Sequence, residues 1–385
     1  MRNFEFYNPT RIVFGTETVA KLADLVPGNA RVLILYGGAS AKTNGTLDEV
    51  KAALGERVVL EFAGIEPNPS FETMMQAVEL VRREKLDFLL AVGGGSVIDG
   101  TKFVAAAVEF EGDAWEIMQK RGRNVKRALP FGSVLTLPAT GSEMNSGGVI
   151  MRKSTHEKFS FMSRFVFPQF SILDPTKTYT LPKTQIANGI ADAFVHVIEQ
   201  YLTFPVQALP QDRFAEGLLQ SLIEIAPQAI SMEQDYDTRA NLMWVATLAL
   251  NGLIGAGVPQ DWASHMIGHE ITALYGIDHA RTLAIVLPSL LNVQREHKRA
   301  KLLQYAERVW HISEGTEEQR IDQAILRTRE FFEGLGIQTR LSGYQLGEDA
   351  IDAILLQLEA HGMTTLGEQQ NITLEVSRVI LQGAL

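Results

Sequence analysis

The segment FLLAVGGGSVIDGTKFVAAAV (residues 88–108) constrains the fold more than any other part of the chain. It starts with an unbroken apolar run, passes through three glycines and continues with apolar residues at helical spacing. An unbroken apolar run is typical of a strand buried on both faces, as in a parallel sheet whose strands alternate with helices. A similar apolar run occurs at 32–36, and a further strand is predicted at 131–137. We therefore predict an α/β domain with a parallel sheet that helices cover on both faces.

Strand and helix patterns alternate up to a proline-containing stretch, LDPTKTYTLP (residues 173–182), and the remaining patterns are helical. Residues 1–14 alternate apolar and polar side chains around Asn8-Pro9, which predicts a β-hairpin. Further strands are predicted at 58–62 and within 147–173, and helices at 16–26, 45–54 and 70–84. Later helices are predicted near 184–203, 212–230, 236–256, 260–275, 282–312, 317–334, 347–361 and 369–383. We predict two domains, an α/β domain at 1–180 and an all-α domain at 181–385.

Composition excludes several classes of function. The chain of 385 residues has a net charge of −10, which argues against nucleic acid as a main partner because phosphate binding needs a basic surface. It has no cysteine, which excludes disulfides, thiol catalysis and cysteine-bound zinc. No apolar run is long enough to cross a bilayer, and the start of the chain does not resemble a signal peptide. We expect a cytoplasmic protein with no membrane partner.

The glycines between the apolar run and the helix, Gly93-Gly94-Gly95-Ser96, predict a phosphate site. Glycine lets the backbone approach a pyrophosphate, and the helix N-terminus offers N–H groups and the positive end of its dipole. The usual G-x-G-x-x-G pattern is absent. The alternative is a tight strand-to-helix turn, but three consecutive glycines exceed what such a turn needs. A second loop of small residues, 138–143, follows another strand and carries hydroxyls suited to ribose or phosphate.

Three histidines fall within DWASHMIGHEITALYGIDHAR (residues 261–281). His265 and His269 are four residues apart, so a helix places them on one face. His279 follows a Tyr-Gly-Ile-Asp turn that can direct it towards the same point. Asp192 and His196 show the same four-residue spacing within an apolar helical pattern. One carboxylate and several imidazoles suit zinc or ferrous iron. Any one of these histidines alone is more often a hydrogen-bonded core residue, but together they predict a metal site.

These motifs resemble the iron-containing alcohol dehydrogenase family, and the resemblance covers essentially the whole chain. It is closest to the branch of NADPH-dependent aldehyde reductases and butanol dehydrogenases. The segments that carry it are FxFxNPTRIVFG, YGGAS, GIEPNP, AVGGGSVIDGTKF, LPATGSE, NGIADAFVHVIEQY and the histidine stretch. The resemblance implies a Rossmann-like first domain, an all-helical second domain and a site in the cleft between them. It implies metal ligands at Asp192, His196, His265 and His279, with His269 near the nicotinamide and not bound to the metal.

The resemblance also implies a set of cofactor residues. They are Gly94, Gly95, Ser96 and Asp99 in the first loop, Thr136, Thr140 and Ser142 in the second, and Lys158 near the cofactor ribose. The family commonly has Asp-x-Ala-Lys after the glycines, whereas this chain has Asp99-Gly100-Thr101-Lys102. It often has glycine after the last metal histidine, whereas this chain has Ala280.

The residues after Tyr36 bear on the choice of nicotinamide cofactor. An NAD site usually places a carboxylate near the end of the strand to bind the ribose 2′-hydroxyl. Here the strand is followed by Gly37, Gly38 and Ser40 with Lys42 close behind, and by no acid. Open backbone, a hydroxyl and a positive charge suit a 2′-phosphate. We expect NADP(H), together with one divalent metal ion, iron or zinc.

The expected activity is reversible hydride transfer between NADPH and small aldehydes, giving primary alcohols, with His269 in a proton relay. The family also implies a homodimer, and residues 2–14 could pair between chains. Related alternatives are a glycerol-dehydrogenase-like or dehydroquinate-synthase-like enzyme. A metal-dependent hydrolase without a nucleotide would leave both glycine-containing loops unused. A non-catalytic metal or nucleotide sensor is the least favoured, because no segment resembles an output module.

Overall fold

The protein is described by a computed structural model that covers residues 1–38, 40–231 and 234–385. The chain divides into two compact units. The α/β unit contains residues 7–181 and 233–247, and the helical unit contains residues 1–6, 182–232 and 248–385. The main division falls after Leu181. Two short segments are assigned across it: residues 1–6 belong to the helical unit, and residues 233–247 belong to the α/β unit.

The α/β unit is built on a parallel sheet, as predicted. Its strands are β1 (Arg11–Phe14), β2 (Arg31–Tyr36), β3 (Val58–Phe62), β4 (Phe88–Gly94), β5 (Phe131–Leu137) and β8 (Phe170–Leu173), with a separate antiparallel pair β6 (Gly147–Arg152) and β7 (Glu157–Met162). The order across the sheet is β1-β8-β5-β4-β2-β3, and every neighbouring pair is parallel. The carboxyl ends of β2, β4 and β5 therefore lie along one edge, which is where a doubly covered α/β sheet places its ligand.

Helices cover both faces of this sheet. They are α1 (Leu22–Leu25), α2 (Ser40–Thr43), α3 (Thr46–Leu54), α4 (Phe71–Glu84), α5 (Gly95–Val108) and α6 (Glu116–Gln119). On β2, Leu33 and Leu35 pack into the core formed with α4 and α5, whereas Val32 and Ile34 pack into the core formed with α3. Because alternate side chains of a strand point to opposite faces, an unbroken apolar run serves two cores at once.

The second unit is helical, apart from the short pair β9 (Thr365–Leu366) and β10 (Ile372–Thr373). From α7 onwards the helices are α7 (Lys183–Tyr201), α8 (Leu209–Ser231), α9 (Tyr236–Ala249), α10 (Ala263–Tyr275), α11 (His279–Val293), α12 (Arg299–Arg308), α13 (Glu317–Gly334), α14 (Glu348–Ala360) and α15 (Leu374–Gly383). Most of α9 belongs to the α/β unit. Among the described residues, no helix combines the length and apolar character needed to cross a membrane.

The predicted β-hairpin over residues 1–14 is wrong. Strand β1 pairs in parallel with β8 and not with an earlier part of the chain. The Asn8 side chain donates to the carbonyl of Met144 (2.8 Å) and accepts from the N–H of Thr10 (3.3 Å), so side-chain bonds replace a hairpin ladder here. The alternating pattern arose from Phe4 and Phe6, which are largely exposed and do not form a sheet face.

The single helix predicted near 282–312 is also wrong, because the chain turns between α11 and α12. Lys298 lies in this turn and is buried, with its ammonium group paired to Asp261 and Glu368. Apolar residues on both helices face the interior, so their spacing continues across the turn. A pattern of apolar residues does not reveal a buried lysine, so the turn at Lys298 could not be predicted from this pattern.

Candidate active site

Helix α7 contributes a buried carboxylate and a buried imidazole. Asp192 and His196 lie one turn apart, as their spacing predicted, and Asp192 is only 3% exposed. Nε2 of His196 lies 3.8 Å from Oδ1 of Asp192. The surrounding residues of the helix are apolar and buried, including Ile190 and Phe194. Burial of such polar groups costs free energy unless they are hydrogen-bonded, paired in charge or bound to a cation.

The turn between α10 and α11 brings two more imidazoles to the same carboxylate. Helix α10 ends at Tyr275 and is followed by Gly276, whose φ of 67° is readily adopted by glycine, and α11 begins at His279. Nε2 of His279 lies 3.9 Å from Oδ1 of Asp192, and Nε2 of His265 lies 4.0 Å from the same atom. Three imidazole nitrogens from three helices therefore converge on one carboxylate oxygen.

Asn188 holds the beginning of α11 against α7. Its Nδ2 donates to Oδ2 of Asp278 (3.0 Å), and its Oδ1 accepts from Nε of Arg281 (3.3 Å). Asn188 is one turn before Asp192 on α7. These bonds therefore fix the position of His279, which lies between Asp278 and Arg281 in sequence, relative to the carboxylate.

The cluster fits a divalent metal ion. Asp192, His265 and His279 offer one ligand atom each, all within 4.8 Å of one another. Two atoms that each bind one ion at about 2.2 Å lie at most about 4.4 Å apart. The distances from Asp192 Oδ1 to the three imidazole nitrogens, 3.8 to 4.0 Å, satisfy this limit. Oδ1 of Asp192 is buried and accepts no hydrogen bond from the described residues. The donor set is the one that zinc and ferrous iron accept.

His269 lies beside this cluster, one turn after His265 on α10. It is buried, and its ring centre is 4.9 Å from that of His279 and 6.4 Å from that of His265. Trp262, which precedes α10, presents its indole edge-on to His265 at 5.2 Å. An indole wall and a fourth imidazole thus border the histidine cluster.

Glu199 is a neighbour of the cluster that sequence reasoning missed. Its Oε2 is hydrogen-bonded to Nδ1 of His265, and its Oε1 accepts from the N–H of Ser264 (2.6 Å). Burial raises the pKa of Glu199 well above its usual value and the charge of Asp261 raises it further, whereas the Ser264 N–H and Lys298 act in the opposite direction. The signal was present, because Asp192, His196 and Glu199 share one face of α7 at positions i, i+4 and i+7.

The three glycines where β4 meets α5 are required by packing. A Cβ atom at any of the three positions would collide with a neighbouring side chain: at Gly93 with Val97 (2.5 Å), at Gly94 with Leu137 (2.9 Å) and at Gly95 with Thr140 (2.4 Å). The excess of glycines is therefore explained by close approach of this segment to Val97 on α5, to Leu137 at the end of β5 and to Thr140 in the loop after β5. Helix α5 begins at Gly95, and among the described residues no side chain caps it. The phosphate hypothesis now depends on this open helix N-terminus, beside half-buried Ser96.

A buried network joins α5 to the loop after β5. Nζ of Lys102 donates to Ser142 Oγ (2.8 Å), Asn145 Oδ1 (2.9 Å) and the carbonyl of Gly147 (2.6 Å). Ser142 Oγ in turn donates to Asp99 Oδ1 (2.6 Å). Asp99 and Ser142, both predicted cofactor residues, are thus bonded to each other inside the protein.

Burial moves the charged members of this network towards their neutral forms. It lowers the pKa of Lys102 to about 8, although the charges of Asp99 and Glu143 oppose the change. It raises the pKa of Asp99, against the charges of Lys102 and Lys158 and the bond from Ser142. It also raises the pKa of Glu143.

The remaining predicted residues of the two loops lie close to this network. Lys158 is buried on β7, where its charge acts on Asp99. Thr136 is near the carboxyl end of β5, and Thr140 is in the loop that follows; both are half-buried. The structure therefore brings the first loop, the second loop and Lys158 together within the α/β unit.

The predicted 2′-phosphate site follows β2. A Cβ on Gly37 would lie 3.1 Å from a backbone carbonyl, whereas one on Gly38 would meet nothing within 4 Å. Ser40 begins α2, and both Ser40 and Lys42 are exposed. Ala39 lies outside the described residues. Backbone, hydroxyl and ammonium groups are thus available at this strand end.

A carboxylate that the sequence argument did not consider lies near this strand end. Glu61 on β3 accepts hydrogen bonds from Tyr36 Oη (2.9 Å) and Lys51 Nζ (3.1 Å). Although partial burial raises its pKa, these two bonds lower the pKa of Glu61 overall. Glu61 was missed because it comes from the neighbouring strand, and its carboxylate is already paired.

Two family models match most of the chain. The model of the iron-containing alcohol dehydrogenases matches residues 9–175, and the C-terminal model of the Fe-containing alcohol dehydrogenase family matches residues 186–375. The chain belongs to the iron-containing alcohol dehydrogenase family. It is an oxidoreductase that acts on alcohols and aldehydes, as the resemblance of its motifs implied.

Named relatives match the chain over its full length. The NADPH-dependent aldehyde reductase YqhD of Escherichia coli is 60% identical over 386 residues, which cover 100% of both chains. A probable NADH-dependent butanol dehydrogenase of Bacillus subtilis is 41% identical over 390 residues, again covering 100% of both. A crystal structure of E. coli YqhD has a TM-score of 0.99 at 59% identity, covering 100% of this chain and 99% of that one. This likeness confirms the predicted fold class.

Proposed function

We propose that the chain is a metal- and NADP(H)-dependent enzyme that reduces small aldehydes to primary alcohols and catalyses the reverse oxidation. The observation that carries this proposal is the convergence of three imidazole nitrogens, from three helices, on Oδ1 of Asp192 at 3.8 to 4.0 Å. In this proposal Asp192, His196, His265 and His279 bind one divalent ion. Residues 181–385 hold the metal, and residues 1–180 hold the dinucleotide.

The protein groups supply orientation, charge and protection from water. A divalent ion at this position would polarise a substrate carbonyl, and a bound NADPH would supply the hydride. Asp192 contributes the one negative charge of the donor set. Burial of Asp192, His196 and His265 keeps bulk water from the donor atoms, so electrostatic interactions there are strong. The His279 side chain is 23% exposed. In this proposal, a substrate oxygen therefore approaches the ion from the side of His279.

His269 has a separate role in this proposal. It lies next to His279 without belonging to the proposed ligand set, and it is buried. A histidine in that position can hold the proton that the product oxygen takes up and exchange it with water. We therefore assign His269 to proton transfer.

The metal itself is iron or zinc. Three nitrogen donors and one carboxylate oxygen accept both ions, and affinity alone does not separate them. Membership of the iron-containing family favours iron.

The dinucleotide is proposed to bind at the carboxyl ends of β2, β4 and β5. Gly94, Gly95 and Ser96 place the open N-terminus of α5 at the pyrophosphate. Thr136 and Thr140 offer hydroxyls from the second loop. Asp99 and Ser142 serve by joining the two loops, and Lys158 contributes a positive charge near Asp99.

NADPH is proposed over NADH on the chemistry of the strand end after β2. Gly37 and Gly38 leave the backbone accessible, while Ser40 and Lys42 offer a hydroxyl and a charge to a 2′-phosphate. The 60% identical relative is named as NADPH-dependent, whereas the 41% identical one is named as NADH-dependent. The higher identity supports NADPH.

We also propose that the enzyme is a homodimer. Strand β1 is at an edge of the sheet, and its outer side has no strand partner among the described residues. Exposed aromatic side chains lie just before it, at Phe4, Phe6 and Tyr7. An open strand edge and exposed aromatic groups are each typical of a surface that another chain covers.

The proposal is tested by metal analysis combined with NADPH consumption. Protein freed of metal by a chelator is reloaded with Fe²⁺ or Zn²⁺ and assayed with straight-chain aldehydes of increasing length. We expect one equivalent of metal per chain, oxidation of NADPH and formation of the matching primary alcohol. A reloaded enzyme that oxidises NADPH with none of these aldehydes would overturn the proposal.

A further inference from the structure

Glu199 connects the histidine cluster to the start of α10. It lies on α7, three residues after His196, and is 2% exposed. One carboxylate oxygen is bonded to Nδ1 of His265, and the other accepts from the N–H of Ser264 (2.6 Å). Both partners are in the first turn of α10, where the helix dipole favours a negative charge. Glu199 therefore caps α10 and holds His265 at the same time.

A second buried ion pair anchors the loop that leads into α10. The N–H of Asp261 donates to the carbonyl of Glu199 (2.8 Å), and Oδ2 of Asp261 lies 2.7 Å from Nζ of Lys298. Lys298 also binds Glu368 at 3.0 Å and the carbonyl of Leu202 at 2.7 Å. With these bonds in place, Ser264 and His265 cannot shift along α7 without breaking a buried ion pair.

We infer that Glu199 is a positioning residue for the metal centre. A neutral imidazole carries its proton on one nitrogen only, so a carboxylate at Nδ1 leaves the lone pair on Nε2. In His265 that Nε2 faces Asp192 Oδ1 at 4.0 Å. A carboxylate bonded to the far nitrogen of a metal-binding histidine fixes both its tautomer and its ring orientation. The inference rests on the proposed metal site and adds a residue that the ligand set does not contain.

The decisive variant is Glu199→Gln. Its amide has nearly the same volume and its oxygen can still accept from Ser264, but its NH₂ group then faces Nδ1 of His265. This favours the tautomer with the proton on Nε2, which cannot bind a metal. We expect Zn²⁺ affinity of the chelator-treated protein, measured by competition with a chromophoric chelator, to fall by about 10–100-fold. The d–d absorption bands of bound Co²⁺ should also change, because they report ligand geometry.

Glu270→Gln is the matched control. Glu270 is a buried carboxylate on the same helix as His265, and it is also bonded to Nδ1 of a histidine, His361 (2.8 Å). Because His361 is not in the proposed ligand set, this variant should keep wild-type Zn²⁺ affinity and a wild-type Co²⁺ spectrum. The melting temperature of the metal-free proteins shows whether either substitution disturbs folding.

The outcomes distinguish failure of the proposed metal-dependent function from failure of the positioning role of Glu199. If wild-type protein binds neither Zn²⁺ nor Fe²⁺, the proposed function fails. If wild-type protein binds Zn²⁺ and Glu199→Gln matches it in affinity and Co²⁺ spectrum, the function stands and the positioning role is overturned. Equal losses in both glutamine variants also overturn it, since the effect is then general. Should Glu199→Gln not fold, Glu199→Asp replaces it: the retracted carboxylate should weaken Zn²⁺ binding, and unchanged binding would refute the inference.

Discussion

At the scale of single residues, the four proposed ligands act on one point, so each should be indispensable. Replacing His265 or His279 by alanine removes a donor atom that lies 3.9 to 4.0 Å from Asp192 Oδ1. We expect either variant to lose the metal on gel filtration and to lose turnover. Metal per chain is measured by elemental analysis and turnover by NADPH consumption. His361→Ala, which removes a histidine bonded to Glu270, should keep its metal; full activity in a ligand variant would contradict the site.

His269 should behave differently, because it borders the cluster and is not proposed to bind the ion. His269→Ala removes a group assigned to proton transfer, a role that typically contributes about 10²–10⁴-fold to a rate. We expect turnover to fall by about 100-fold or more, while metal content stays at the wild-type level. The same two assays, elemental analysis and NADPH consumption, separate these effects. Loss of the metal from this variant would mean that His269 is itself a ligand.

Lys42 tests the choice between NADPH and NADH. Its exposed ammonium group follows Ser40 in α2, where a 2′-phosphate is proposed to bind. Lys42→Met should raise the KM for NADPH and leave the KM for NADH nearly unchanged, because only NADPH carries the extra phosphate. Lys21→Met removes an exposed lysine elsewhere in the same unit and controls for the loss of net charge. A parallel rise in both KM values would show that Lys42 does not recognise the 2′-phosphate.

At the scale of secondary-structure elements, Lys102 joins α5 to the loop after β5. Its contribution to the free energy of unfolding depends on pH. Its pKa falls to about 8 in the folded protein from 10.5 when exposed, so the unfolded chain binds more protons between these values. Stability from this group therefore rises with pH. From about pH 7.5 to about pH 9.5, wild-type protein should gain about 2 kcal/mol of unfolding free energy relative to Lys102→Met.

Urea unfolding of the two proteins at both pH values measures this difference. Titrations that Lys102 does not influence cancel in the comparison, so the difference reports Lys102 together with the carboxyl groups of Asp99 and Glu143, whose pKa its charge lowers. Lys21→Met, in which an exposed lysine is lost, should keep a constant difference from wild type across the same range. A constant difference for Lys102→Met as well would show that burial does not lower the Lys102 pKa.

The elements that sequence analysis predicted well are those whose signal is local. The apolar run of β4 and the spacing of Asp192 and His196 each lie within one element, and the structure reproduces both. The predicted hairpin failed because the partner of β1 is β8, which lies far along the chain at residues 170–173. Pairing over such a distance leaves no trace in the pattern of either strand.

The candidate site shows the same division between local and distant signals. The histidine spacings were readable, whereas the glycines at 93–95 predicted a phosphate site in preference to a tight turn, and their packing role was not visible. Their packing against Val97, Leu137 and Thr140 depends partly on a loop that is distant in sequence. Glu199 shared a helix face with Asp192, but its role became visible only when α10 was placed against α7.

At the scale of the whole molecule, the exposed aromatic residues near the N-terminus predict how copies of the chain associate. Phe4 is 51% exposed and lies just before the edge strand β1. Exposed aromatic area and an open strand edge each favour association through a two-fold interface. We expect sedimentation velocity to show a dimer of the wild-type protein and a shift to monomer for Phe4→Glu, because a charge in a covered apolar interface must be desolvated.

Phe214→Glu is the matched control, since Phe214 is equally exposed, at 51%, on α8. That variant should remain dimeric. A Phe4→Glu protein that stays dimeric, or a Phe214→Glu protein that dissociates, would move the interface away from the N-terminal segment.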